Sequence, residues 1–576
     1  MSTASLVTAI AVGSLMGTIL AAANVYAGLK IGFTTDGSLV AAILAITLAR
    51  ALGRFAPFSI SPLHTNLVQT AASAGAFCAV AGLSNAVPAM RLDGVTVSPW
   101  MLVPWVFFVA SLGICVAVPL RRRAIVIDKL RFPSGVVCAQ TIRAFHAKAQ
   151  EARHGMRTLG FTAAVGAVIT LLRDTGIPGV LGKIIPAKTT LPGSLGAFSL
   201  NKLSIGISWS PLLFAVGGIV GLRTALSMTL GSILGWLVGG PLLAHYGLID
   251  PKADRGIIAW TVWPAVGIIT AGGLTGLMMG GGLFKRALAF LKKDTGKGEG
   301  KGPDELHLKM VPRSWWLGGL LVASTGTAVT ALLAFHVPVW QTLIAIVLAL
   351  PIAAIAIRAV GETDFTPANN LAKATQFIFA GIAPGQTVAN IAAAGVAAGC
   401  AQEASEVMTD LKAGAMLGNN PRDQFIAQCA GVLICAGAAV AAYFLLVAAV
   451  DIGGEAFPAP TAVAWHALAR GLAGGKNAIP AGASTAVFLA AAVGILLGVL
   501  SVWKKRLPLP SPVAIGLGMI FQFSYSITIL LGAVAAALAS RLLRNAWDRN
   551  RELVLSGLMV GESIMGLLAV AITLTG

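Results

Sequence analysis

The stretch "VANIAAAGVAAGCAQEASEVMTDLKAG", residues 388–414, opens on small apolar residues and closes on Glu403, Glu406, Asp410 and Lys412. Wound as a helix, its run over 388–407 is long enough to cross about 30 Å of hydrocarbon. Acids at the end of such a helix are ordinary in water and costly in lipid, so composition decides how the stretch is read. The 576 residues are 56% hydrophobic and 11% charged, with a mean hydropathy of +0.84. A soluble domain is about a quarter charged. The solvent of this chain is therefore a bilayer. Apolar runs of about 18 to 25 residues recur along the sequence, from 6–26 to 553–574. Alternating strands of barrel length are absent, and a helix satisfies its own backbone in lipid. The expected fold is all-α, a polytopic membrane helical bundle of about 14–16 transmembrane helices.

The small residues support this. The chain has 67 glycines, which let helices approach closely where no hydrophobic force drives them together. The six cysteines, Cys78, Cys115, Cys138, Cys400, Cys429 and Cys435, form no CxxC pair and are expected as buried thiols, with no metal site. The opening "MSTASLVTAIAVGSLMGTIL" lacks a basic leader region and is read as the first membrane helix.

The net charge of +19 raises nucleic acid as a partner, but its distribution argues otherwise. Nine Lys/Arg fall between Arg121 and Arg157 and eight between Lys285 and Arg313, each set beside apolar spans. That is the pattern of cytoplasmic loops. No aromatic-interleaved basic face accompanies them, and nucleic-acid binding is not expected. With the N-terminus cytoplasmic, every large basic loop of the first half falls on the same side.

The polar "KKDTGKGEGKGPDELHLK" reads as a flexible linker. It divides the chain into an N-terminal transmembrane half (1–284), a cytoplasmic linker (285–314) and a C-terminal transmembrane half (315–576). In the second half "KKR" (504–506) and "RLLRNAWDRNR" (541–551) flank one apparent span and cannot both be cytoplasmic unless part of it re-enters. The proline-rich "RLPLPSPVAIGLGM" is the expected break. "LKIG" at 29–32 recurs as "LKAG" at 411–414, and "RRR…FPSG" resembles "KKR…LPSP", an echo that fits two pseudo-symmetric halves with broken helices.

Enzyme motifs are missing: there is no GxSxG, P-loop, HExxH or Rossmann glycine pattern, and the seven histidines are scattered. Catalysis and bound cofactors are not expected. What remains is polar side chains at membrane depth, where function is the default reading. Glu403, Glu406 and Asp410 follow i, i+3, i+7 spacing and share a helical face. Such a face relays protons or holds a cation; the bland alternative is a helix end entering water.

Eight further stretches bear on identity: "NVYAGLKIGFTTDGS", "HTNLVQTAASAG", "LRFPSGVVCAQTIRA", "GLRTALSMTLGSILGWL", "ETDFTPANNLAKATQ", "DLKAGAMLGNNPRDQF", "LPLPSPVAIGLGM" and "GLMVGESIMGLL". In this order, over nearly the whole chain, they resemble the oligopeptide transporter superfamily, including its yellow-stripe-like branch. The resemblance implies secondary active uptake, usually proton-driven, of small peptides or of metal held by a peptide-like chelator. It singles out Asn66, Gln69, Thr70, Thr363, Asp364, Asp410, Lys412, Gly561 and Glu562. One departure stands out: His64 and Thr65 precede "NLVQT" where the family commonly has an acid and Asn.

Chemistry gives these residues roles, each with a rival. Asn66, Gln69 and Thr70 form a neutral hydrogen-bonding patch suited to peptide amides, or glue between helices. Lys30 and Lys412 meet a substrate carboxylate, or snorkel to the interface. A break at Gly414 would turn Lys412 toward a cavity. Thr363 and Asp364 touch substrate, or Asp364 caps a helix near Pro367. Glu403, Glu406, Asp410 and Glu562 are the candidates for proton coupling, Glu562 being alone in the last span. The resulting expectation is a symporter importing oligopeptides or peptide-like metal chelates across the cell membrane. Its partners would be the substrate, protons, the bilayer and, as an option, further copies of the chain. The rivals are a passive channel for small polar solutes and a membrane enzyme acting on a lipid-linked substrate.

Overall fold

The computed structural model describes residues 3–32, 41–42, 61–147, 149–174, 184–251, 256–279, 309–363, 366, 368–454, 456–474, 479–503 and 509–575. The stretch 38–48, apolar enough to be read from the sequence as a further span, most of the expected linker at 285–314, the 504–506 basic cluster, Asp364 and the side chain of Thr363 lie outside this set.

Helices α1 (Thr3–Ile31), α2 (Pro62–Phe77), α3 (Ala86–Leu92), α4 (Pro99–Arg121), α5 (Pro133–Ala147) and α6 (Ala149–Asp174) come first. A surface excursion of four short strands follows, with Lys188–Thr190 antiparallel to Gly206–Ser208 and Ser194–Leu195 antiparallel to Phe198–Ser199. Next are α7 (Pro211–Ser232), which runs through a π-helical segment into α8 (Gly240–His245), and then α9 (Gly256–Met279). After residue 309 come α10 (Arg313–Phe335), α11 (Val339–Thr363), α12 (Ala368–Ile382), α13 (Thr387–Leu417) and α14 (Pro421–Ala449). The chain closes with α15 (Pro460–Gly474), α16 (Ala483–Trp503), α17 (Pro512–Ile520), α18 (Phe523–Leu543) and α19 (Asn545–Thr575).

Eleven helical spans among the described residues are long and apolar enough to cross a membrane. The chain is a multi-pass integral membrane protein. Helix α13 is not one of the eleven, because its acids lower its hydropathy, yet its 31 residues reach about 46 Å at 1.5 Å per residue. It is buried over most of that length, with α2, α4, α5, α11, α12 and α15 around it. Around it, α1 packs on α2 and α14, and α4 on α10. A second group pairs α6 with α19, α7 with α18 and α9 with α16. Helices from early and late in the sequence thus interleave.

The apolar stretches 211–222 and 225–243, readable from the sequence as two spans, form one span, 211–245, broken at Gly221, whose φ of 79° only glycine adopts at little cost. Its partner is interrupted too. Ser511 caps α17, which ends at Ile520, and two extended residues separate it from α18. A Cβ at Gly217 would overlap Ile529, one at Gly532 Phe214, one at Gly231 Ile515 and one at Gly518 Met228. Rising numbers on one side meet falling numbers on the other, so the two interrupted helices lie antiparallel along a glycine seam.

Helix α13 does not break at Gly414. It continues to Leu417 and ends at Gly418, whose φ of 82° makes it the left-handed cap. Gly414 serves close packing, since a Cβ there would run into the side chain of Gln424. Five of the six cysteines are buried, the sixth is half-buried, and all are free thiols.

Candidate functional site

The first buried polar site is built on Glu562, which is 0% exposed. Two glycines bring its helix, α19, against α6: a Cβ at Gly561 would overlap Ala163, and one at Gly557 the hydroxyl of Thr162. That approach carries Glu562 to the end of α6, where the Arg173 Nη1 donates to its Oε1 at 3.0 Å. Lys30 Nζ, at the end of α1, donates to the same oxygen at 2.7 Å. Ser210 Oγ donates to Oε2 at 2.8 Å, and the Leu212 N–H, in the first turn of α7, adds another bond at 2.8 Å. A carboxylate at a helix N-terminus and between two cations is held as an anion by the fields around it. Lys30 also donates to the Tyr26 hydroxyl at 3.1 Å, and Arg173 pairs with Asp174. The site locks four helices together, α1, α6, α7 and α19.

The second site is centred on Asp410, 1% exposed. Its Oδ1 accepts from Gln69, and its Oδ2 from Ser73 and from Gln428 at 3.0 Å. Asn66 Nδ2 donates to Gln69 Oε1 at 3.0 Å, and Asn419 Nδ2 donates to Asn66 Oδ1 at 2.9 Å. Gln424 donates to the Asp410 carbonyl at 2.9 Å and to Thr70 Oγ1 at 3.4 Å. The patch of Asn66, Gln69 and Thr70 is therefore directed at protein groups, and these bonds join α2, α13 and α14.

The acids of the opening stretch share a face yet meet three neighbours. Asp410 enters the amide network. Glu403, 2% exposed, packs where Gly113 of α4 leaves room, and its Oε1 has no hydrogen-bond partner among the described residues. Glu406 lines a cavity of about 400 Å³. Its walls also carry Gln402 and Thr409 of α13, Asn369, Asn370 and Lys373 of α12, and Trp465 of α15. Ser84, Asn85, Ser134, Thr366 and Thr461 add polar groups, and Val360, Ile219, Ile269 and Leu517 apolar ones. This size and mixture suit a small polar ligand.

Lys412 is half-buried and is not among the residues lining this cavity. An ideal Cβ at Gly135 of α5 would sit 3.3 Å from the Lys412 Cβ, so the lysine stem lies on α5. Lys30 is committed to Glu562 and also lies outside the cavity lining. Lys373, Arg173, Ser210 and Trp465 escape a reading of the sequence alone. For Lys373 a signal was available: Asn369, Lys373 and Gln376 follow i, i+4, i+7 and make a polar stripe on α12.

Comparison with known proteins agrees with this architecture. A family model described as "OPT oligopeptide transporter protein" matches residues 7–573. "Putative oligopeptide transporter YGL114W" of Saccharomyces cerevisiae is 25% identical, the match covering 85% of this chain and 83% of the yeast protein. "Probable metal-nicotianamine transporter YSL14" of Oryza sativa subsp. japonica is 26% identical over 81% of this chain and 68% of the rice protein. "Metal-nicotianamine transporter YSL2" of Arabidopsis thaliana is 24% identical over 66% of this chain and 61% of its own length. A helical membrane bundle with a polar interior cavity, matched almost from end to end, places this chain in the oligopeptide transporter family, whose members are transporters and not enzymes.

Proposed function

We propose that the protein is a proton-coupled symporter that imports small oligopeptides or peptide-like metal chelates across the cell membrane, with its N-terminus cytoplasmic. The observation that carries this reading is the 400 Å³ cavity, whose walls hold a cation, Lys373, an anion, Glu406, and several amides. Peptides and amino-carboxylate chelators present the matching groups. A chelated metal brings its own ligands, so both substrate classes suit one polar cavity. The names of the yeast and plant relatives support the same two classes.

Glu403 is our candidate for the coupling acid. It lies one turn from cavity-lining Glu406, and its Oε1 has no donor among the described residues, which leaves it open to exchange a proton. Glu562 suits the task less, because two cations and a helix N-terminus hold its charge. The test is accumulation of labelled tripeptide, or of a metal–nicotianamine complex, in proteoliposomes with an imposed inward proton gradient. Accumulation only with the gradient is the expected result; equal flux without it indicates a channel. Glu403→Gln is expected to abolish gradient-driven accumulation and to spare counterflow exchange, which moves no net proton. Normal accumulation by this variant would exclude Glu403.

A further inference from the structure

We infer that the cavity selects ligands with a free carboxylate, that Lys373 receives that carboxylate, and that Glu406 receives the ligand's ammonium group. This rests on the transport reading above and gives it a chemical specificity. Lys373 is 4% exposed and lines the cavity. It makes no hydrogen bond or ion pair with any described residue. An ammonium at such depth is costly unless paired, and Lys30 and Arg173, equally buried, are both committed to Glu562.

A second unsatisfied donor belongs to a residue of the same wall. Trp465 is a lining residue, and its indole N–H has no acceptor among the described residues. A buried ammonium that borders a cavity and has no acceptor among the described residues describes a site for an anion. Glu406 supplies the opposite charge, and Asn369, Asn370 and Gln402 are placed to meet the amides between a ligand's two ends. Lysine is a point charge without the fixed fork of arginine, so it accepts a carboxylate in many orientations. That tolerance suits ligands that differ in length but share a free acid.

The experiment uses the purified full chain in detergent and four probes: trialanine, its C-terminal amide, its N-acetyl form and an iron–nicotianamine complex. Wild-type protein is expected to bind trialanine about ten- to hundredfold more tightly than the amide, the worth of a hydrogen bond to a charged group. Lys373→Met, checked as monodisperse, is expected to lose that preference by weakening trialanine alone; Lys373→Arg and Lys412→Met are expected to keep most of it. Glu406→Gln gives an independent reading and is expected to lose the preference for trialanine over its N-acetyl form. A folded Lys373→Met that still prefers the free acid overturns the inference and leaves the transport reading standing, as does equal binding of acid and amide by wild type. Wild-type protein that binds neither trialanine nor the iron complex overturns both.

Discussion

Two buried charges in this protein are handled in opposite ways. Glu562 is surrounded by Lys30, Arg173, Ser210 and the first turn of α7, so that its charge is answered entirely from within. Lys373 is as deeply buried, but it borders the cavity and meets no carboxylate among the described residues. Charges of the first kind hold helices together; a charge of the second kind is completed from outside. Removing a buried ion from a finished network leaves its partners uncompensated, whereas removing one that has no partner removes a cost.

The contrast can be broken by substitution. Glu562→Gln is expected to have the largest effect, about 3–5 kcal/mol of destabilisation, because two cations lose their carboxylate at once. Chemical unfolding in detergent, or the yield of monodisperse protein, measures it. Lys30→Met follows at about 1.5–3 kcal/mol, since Arg173, Ser210 and Leu212 still satisfy Glu562. A loss as large as that of Glu562→Gln would show that Arg173 alone cannot hold the acid. Lys373→Met is expected to have the opposite sign, with a thermal midpoint equal to or above that of wild type in the absence of ligand. A clear fall would mean that Lys373 is structural and would erase the contrast. Lys412→Met is expected to change stability least, within about 0.5 kcal/mol, because this half-buried side chain lies along α5 without a described charge partner.

Much of the fold was legible in the sequence. Low charge and long apolar runs dictate a helical bundle, since lipid offers the backbone no other partner. Ser511 and Pro512 of "PLPSPV" start a helix, as their residue types signal, but the interruption inside the span falls later, at Phe521 and Gln522. The site was only partly legible. Glu562 stands out as the lone acid of the last span, but its partners Lys30 and Arg173 lie 532 and 389 residues away in the chain. The acids of α13 were readable as one stripe. The different neighbours that make Asp410 a hub of helix contacts and Glu406 a cavity wall were not, because they belong to other helices.

The echo of "LKIG" and "LKAG" separates the two levels of information. Sequence alone determined that each segment is helical and apolar and that each contains a lysine the bilayer would oppose. It did not determine where the helices stop: Gly32, with φ 73°, follows the last residue of α1, whereas Gly414 is interior to α13. Nor did it determine which lysine meets an acid. Local propensity and solvent fix whether a segment is a helix, because those energies arise within a few residues of chain. The fate of a buried charge depends on groups brought within about 3 Å of it, and only the packing of α1 against α19, or of α12 beside α13, sets those distances.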